Sequence, residues 1–264
     1  MTGEITSIAK PSRAWSISGF LVDDKPAGFL LSLVAGFVDT SAFIILFGIF
    51  TAHVTGNIAL AGASFVDEEE ESTLTRLLMI PVFMLSVALT SLLAKYARRR
   101  QWPVFAVLLT AEAIALSIFL IVSASLTPAL ILDVQEEYIF PIGMTGVVAM
   151  AIQNTLMKEA KVFKSYIPTT VMTGNTTQLT IDLVQLIGTK FSSGEEAEQE
   201  AAESLERMSR YLPVIIGFAC GGLAAAFLIF VSESWWTLIF PVIIITILAI
   251  AAYVHHFSQP TASS

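Results

Sequence analysis

The run PVFAVLLTAEAIALSIFLIVSASL, residues 103–126, decides the fold, because its only charged residue is Glu112. A helix rises about 1.5 Å per residue, so crossing a hydrocarbon core of about 30 Å takes about 20 apolar residues. The run is long enough. Five other segments meet the same standard: 27–50, 77–97, 138–158, 211–231 and 236–256. Composition agrees. The 264 residues are 55% hydrophobic and 14% charged, where a soluble domain carries roughly 25% charge, and mean hydropathy is +0.75. These numbers describe an all-α integral membrane protein.

Charge and cysteine content exclude several functions. The formal net charge is -8, and the acids concentrate at 67–71 and 195–206. No basic tract with interleaved aromatics occurs, so nucleic acid is not an expected partner. The single cysteine, Cys220, gives no internal disulfide and no metal-binding pair. No cofactor or metal pattern is present, and no Gly-x-Ser-x-Gly, His-Glu-x-x-His, P-loop or Cys-x-x-Cys occurs. The chain does not read as an enzyme. Residues 1–25 lack an apolar core with a small-residue cleavage site, so the first apolar segment is expected to stay as a membrane helix.

Two shorter, more polar segments, 54–66 and 168–189, contain the same tripeptide: Thr55-Gly56-Asn57 and Thr173-Gly174-Asn175. Around them lies an internal repeat. Pro81-Val82 answers Pro213-Val214, and Trp102-Pro103-Val104 answers Phe240-Pro241-Val242. Each half reads as helix, Thr-Gly-Asn segment, helix, helix. The expected organisation is an N-terminal cytoplasmic tail at 1–26, a first membrane repeat at 27–126, a connecting loop at 127–137, and a second repeat at 138–256 with an acidic loop at 190–210. A C-terminal tail follows at 257–264.

Basic residues orient the chain. Lys95, Arg98, Arg99 and Arg100 belong inside, the loop from 128 to 137 has no Lys or Arg, and Lys158, Lys161 and Lys164 are inside again. If the Thr-Gly-Asn segments dip in and return, there are six spans, inverted halves and both termini inside, which suits Lys10, Arg13 and Lys25. If they cross, there are eight spans and parallel halves. The inverted arrangement of two three-helix repeats, each with a discontinuous Thr-Gly-Asn element, is preferred. The 13 residues of 54–66 reach only about 20 Å.

The motif has a chemical rationale. Glycine permits unusual backbone angles where a chain enters a helix, and Thr or Asn caps free N–H groups. Those groups and the positive dipole end attract an anion or a polar solute. Paired breaks at matching positions mark transporter sites. Candidate substrate-binding residues are therefore Thr55, Gly56, Asn57, Thr173, Gly174 and Asn175, with Gln153 and Asn154 on the apolar helix before the second motif. Asp39 and Glu112 lie mid-span, and Asp182 follows the second motif amid Thr176, Thr177, Gln178 and Thr180. Buried membrane acids face the bundle interior, a partner or water, so these three are candidates for proton or ion coupling. No Lys or Arg is expected deep in a span to neutralise Asp39 or Glu112. His53 reads as interfacial, and Gly217, Gly221 and Gly222 as a helix-packing surface.

These landmarks resemble the YoaK-like family of multispan bacterial membrane proteins. They are Gly36-Phe37-Val38-Asp39, Phe50-Thr51-Ala52-His53-Val54-Thr55-Gly56-Asn57, Glu112, Ala151-Ile152-Gln153-Asn154 and Pro168-Thr169-Thr170-Val171-Met172-Thr173-Gly174-Asn175. The resemblance covers about residues 27–256; the acidic insertions and His53 depart from the pattern. It implies a multispan fold and supplies no substrate. The expected function is a transporter or channel for a small polar or anionic solute, proton-coupled through the buried acids. The alternative is a non-transporting scaffold or sensor. Expected partners are the bilayer and a small-molecule solute, with a homo-oligomer left open, in the bacterial plasma (inner) membrane.

Overall fold

A computed structural model describes residues 16–64, 70–127, 134–160, 167–191 and 194–258. Lys10, Arg13, Lys161, Lys164 and the acids 67–69 lie outside the described residues, and the side chains of 70–71 are likewise not described. Among the described residues the protein is all-helical. The helices are α1 (Ile17–Leu21), α2 (Asp24–Ile45), α3 (Val54–Ser64), α4 (Glu70–Arg99), α5 (Val104–Leu126), α6 (Glu136–Glu159), α7 (Met172–Thr189), α8 (Glu195–Ser232) and α9 (Ile239–Phe257), with a 3-10 turn at Trp235–Leu238 before α9.

Six of these are long and apolar enough to cross a membrane: α2, α4, α5, α6, α8, and α9 with its leading turn. They coincide with the six apolar segments. Two boundaries differ from expectation. Helix α2 stops at Ile45 rather than near 50, because Phe47 (φ 51°) and Gly48 (φ 86°) take left-handed backbone that turns the chain back. Past Gly194 the acidic stretch, expected as a helical, solvated loop, is helical and runs on without a break into the following span. Residues from Glu195 onward form the first turns of a continuous α8, where Glu and Ala have high helix propensity and Glu195, Glu196 and Glu198 face the positive dipole end.

The bundle is solvated by lipid on its outside. Met84, Leu85, Leu89 and Leu92 of α4 and Leu223, Phe227 and Phe230 of α8 are exposed, an apolar rim suited to acyl chains. Helix α2 is enclosed, with Ala27, Leu31, Val34, Ala35 and Val38 fully buried. It packs in parallel with α8, Phe29 beside Gly217 and Leu33 beside Gly221. A Cβ on Gly36, Gly217 or Gly221 would overlap the carbonyl of Phe218, Phe29 or Leu33 respectively. Small residues thus let two backbones touch where no hydrophobic force drives helices together, as the sequence predicted for Gly217, Gly221 and Gly222.

Contacts also mark the two ends of the bundle. Arg98 at the end of α4 donates to the Glu159 carboxylate (2.5 Å) and carbonyl (3.0 Å) at the end of α6. Gly19 of α1 lies beside His255 near the end of α9. A cavity of about 380 Å³ joins these groups, lined by Val22, Arg98, Phe105, Glu159, His255 and His256. At the opposite end, Trp235 Nε1 donates to Thr127 Oγ1 at 2.6 Å.

Candidate functional site

Helix α2 carries Asp39 two turns before its end, and the chain that turns back after Gly48 returns to it. Asp39 is 3% exposed. Its Oδ1 accepts from Thr51 N (2.8 Å), Thr51 Oγ1 (3.1 Å) and Ala52 N (2.7 Å). Its Oδ2 lies 2.6 Å from His53 Nδ1. Backbone N–H groups that enter a membrane without a helical partner need an acceptor, and one carboxylate supplies it here. Helix α3 starts at the next residue, Val54.

The second polar segment is held by an amide. Gln153 of α6, fully buried, donates from Nε2 to Leu31 O (2.7 Å) and to Thr169 Oγ1 (2.9 Å). Ser32 Oγ lies 3.1 Å from Thr169 O and 2.6 Å from Val214 O, donating to these carbonyls of the second half. Thr170 Oγ1 donates to Asn154 Oδ1 at 2.6 Å, and α7 begins at Met172.

The two asparagines act at the same distance along the chain. Asn57 donates to Phe50 O (2.8 Å) and accepts from Phe50 N (2.9 Å); Asn175 donates to Pro168 O (2.7 Å). Each reaches back seven residues and clasps the stretch of chain that precedes its helix. The expected backbone role of the glycines does not hold. Gly56 and Gly174 sit inside the first turns of α3 and α7, and neither is among the positive-φ residues. Asn clasping, rather than a glycine turn, shapes each helix start. Gly56 is needed for space, since a Cβ would lie 2.6 Å from Phe50, whereas Gly174 has nothing within 4 Å. Thr55, Thr173 and Gly174 are exposed.

His53 stands beside Asp39 at the start of α3. Beyond Asp39, its ring meets Phe50 (5.6 Å) and Phe218 of α8 (5.8 Å) edge-on. Thr51 bonds Asp39 and Thr169 O accepts from Ser32 of the same helix, so the two segments form a polar junction along α2. The cap position of α7, Val171, makes no side-chain cap bond, and an uncapped helix start carries partial positive charge that suits a negative or strongly polar group. By sequence alone His53 reads as interfacial. The signal that places it at the centre is its spacing from Asp39 across a turn, which becomes visible only once Gly48 is known to reverse the chain.

The other two acids lie apart from this junction. Asp182, 0% exposed, accepts from Arg207 Nε (2.8 Å) and Gln178 Nε2 (3.2 Å). Arg207 also donates to Gln185 Oε1 at 3.1 Å. Asp182 is thus paired with an arginine. Arg207 lies in the acidic part of α8, which packs along α7 instead of standing free in solvent. Arg76 of α4 is comparable, donating to Ser64 Oγ at the end of α3 and to Phe47 O at 2.9 Å. Glu112 of α5 is 0% exposed, and neither carboxyl oxygen has a hydrogen-bond partner among the described residues. Among the described residues no cluster of three or more His, Cys, Asp or Glu is arranged to hold a metal ion.

Six helices long and apolar enough to cross a membrane define an integral membrane protein of multispan type. The family described as protein of unknown function (DUF1275) matches residues 27–251, and the chain belongs to that family. It is similar to the UPF0700 transmembrane protein YoaK of Bacillus subtilis (strain 168), at 29% identity over 157 residues, 58% of this chain and 64% of the relative. The aligned region therefore spans less than two thirds of that protein. The YoaK resemblance read from the motifs holds. No solved structure matches.

Proposed function

We propose that this protein is a transporter or channel for a small polar or anionic solute, and that it moves this solute instead of catalysing a reaction. The observation that carries the reading is that the polar segments leading into α3 and α7 are both held on the buried helix α2, Thr51 by Asp39 and Thr169 by Ser32. Broken helices at membrane depth are tolerated where they line a cavity or a protein interior, and in transporters they hold the solute. Thr55-Gly56-Asn57 and Thr173-Gly174-Asn175 set the two starts, Gln153 and Asn154 position the second, and Asp39 with His53 provides a titratable pair beside the first.

The inverted six-span arrangement is part of the proposal. Three matched pairs of contacts support it. Asp39 and Gln153 each bond a threonine, Thr51 or Thr169. Asn57 and Asn175 each reach seven residues back. Arg76 and Arg207 each reach a residue of the short helix preceding their own, Ser64 or Asp182. Helix α3, with 11 residues, is about 16 Å long, too short to cross. Its last residue, Ser64, shares Arg76 with Phe47 just beyond α2, so α3 returns to the side from which it entered. On this reading the Arg98–Arg100 end, α1 and the end of α9 are cytoplasmic, in a bacterial plasma membrane.

Reconstitution in proteoliposomes tests the reading. Flux of one of a panel of anions, amino acids or nucleobases is expected, with the solute first picked by a rise in thermal stability of the detergent-solubilised protein. A non-transporting scaffold or sensor is the second reading. It is favoured by the saturation of Asn57 on the backbone of Phe50, and absence of flux for every stabilising solute would establish it.

A further inference from the structure

Glu112 stands outside the junction just described. It lies nine residues into α5, about 13 Å along the helix axis from its first turn, and is fully buried. Both carboxyl oxygens are enclosed and without a partner among the described residues. Helix α5 packs against α4, α6, α9 and the turn Trp235–Leu238. Residues 77–94 of α4, 139–157 of α6, 235–238 and 239–252 of α9 contain no Asp, Glu, Lys, Arg, His, Tyr or Cys, and α5 itself carries no other. The titratable groups that bound those stretches are Arg76, Lys95, Tyr138, Lys158 and Tyr253, with Glu233 before the turn. One helical turn to either side of Glu112 on α5 are Leu108, Leu109, Ala115 and Leu116, all buried. Asp39 is the opposite case, with every oxygen engaged and two of its donors backbone N–H groups. Asp182 has an arginine.

An acid buried in an apolar layer with no cation or donor beside it among the described residues is held there as the neutral carboxylic acid. A neutral acid still has a proton to give when the surrounding helices open to water. We infer that Glu112 is a proton-binding site of the membrane interior, and that it, not Asp39, carries the coupling proton. This rests on the transport reading for the word coupling; the proton site itself does not.

A neutral acid in an apolar layer has a distinctive reaction with dicyclohexylcarbodiimide, a lipid-soluble reagent. The carboxyl O–H proton passes to one carbodiimide nitrogen and the carboxylate oxygen bonds the central carbon, giving an O-acylisourea. Migration of the acyl group from oxygen to nitrogen then leaves a stable N-acylurea, with no atom lost and no oxidant needed. The test treats the full-length protein in liposomes with this reagent and locates the adduct by peptide mass spectrometry. Glu112 is expected to be the dominant adduct within the spans, with Asp39 and Asp182 unmodified and E112Q showing none. An unmodified Glu112, or equal modification of Glu112 and Asp39, overturns the inference. Pre-treatment is also expected to abolish proton-driven flux in wild type while leaving solute-induced thermal stabilisation intact. E112Q should match it, and E112D, which keeps the acid, should restore flux. Full proton-driven flux in a stably folded E112Q would overturn the coupling role. Adduct formation on Glu112 without flux of any solute in wild type would sink the transport reading and leave the proton site standing.

Discussion

Asp39 and His53 are 14 residues apart in sequence, on either side of a reversal of the chain, and 2.6 Å apart in space. The pair ties the end of α2 to the start of α3, and the His53 ring meets Phe218 of α8 edge-on. A carboxylate accepting two backbone N–H groups replaces the turn of helix that the reversal removes.

Asp39→Asn keeps an oxygen for the Thr51 and Ala52 donors and should fold. Asp39→Leu leaves both N–H groups buried and unpaired, at about 1–3 kcal/mol each. Thermal melts of the detergent-solubilised variants should show Asp39→Leu destabilised by about 2–6 kcal/mol and Asp39→Asn by less than half of that. Equal losses would mean that the carboxylate does not organise the loop.

The Thr-Gly-Asn glycines should respond differently to the same change. Gly56→Val drives a side chain into Phe50, whereas Gly174→Val projects into open space. Size-exclusion profiles should show Gly56→Val aggregated or depleted and Gly174→Val monodisperse, with Gly174→Val costing under about 1 kcal/mol as an ordinary helix-surface change.

The α2–α8 contact offers a graded test. Gly221→Ala meets the Leu33 carbonyl, which is backbone and cannot step aside, while Gly222→Ala meets the Thr40 hydroxyl at 2.9 Å, which can rotate. Gly221→Ala is expected to cost about 1–3 kcal/mol through overpacking, and Gly222→Ala well under that, by chemical or thermal unfolding. The reverse order would rule out the close backbone approach.

Arg207→Gln leaves Asp182 buried with Gln178 as its remaining donor. A fully buried pair would lose about 3–5 kcal/mol on such a change, but the Arg207 side chain is 38% exposed, so solvent screening lowers the expectation to about 1–2 kcal/mol. Asp182→Asn in the same chain should recover part of that loss. Absence of recovery would show that Arg207 acts through Gln185 and Ser204 instead.

Same-side termini are tested by labelling. In a Cys220→Ser background, a membrane-impermeant thiol reagent applied to whole cells should miss Ser16→Cys and Ser258→Cys and react with Ser232→Cys at the other end of the bundle. Labelling of the first two would reverse the orientation deduced from Arg98–Arg100.

The sequence alone determined that this chain lives in a membrane and where six helices cross it. Apolar length is a local property: residues 103–126 need no partner to declare themselves, since bilayer thickness sets the requirement. The glycines of α8 were likewise legible as a packing surface, because small residues at helical spacing are read along the chain. The partners of buried polar groups were not. Gly48 folds His53 back onto Asp39, the α7–α8 hairpin carries Arg207 out of an acidic stretch to Asp182, and Gln153 finds Thr169 across a loop. Each of these bonds joins atoms whose separation depends on a backbone reversal and on helix packing, neither of which residue spacing encodes. Tertiary structure also decided that Glu112 has no partner among the described residues, since isolation depends on every helix that surrounds it.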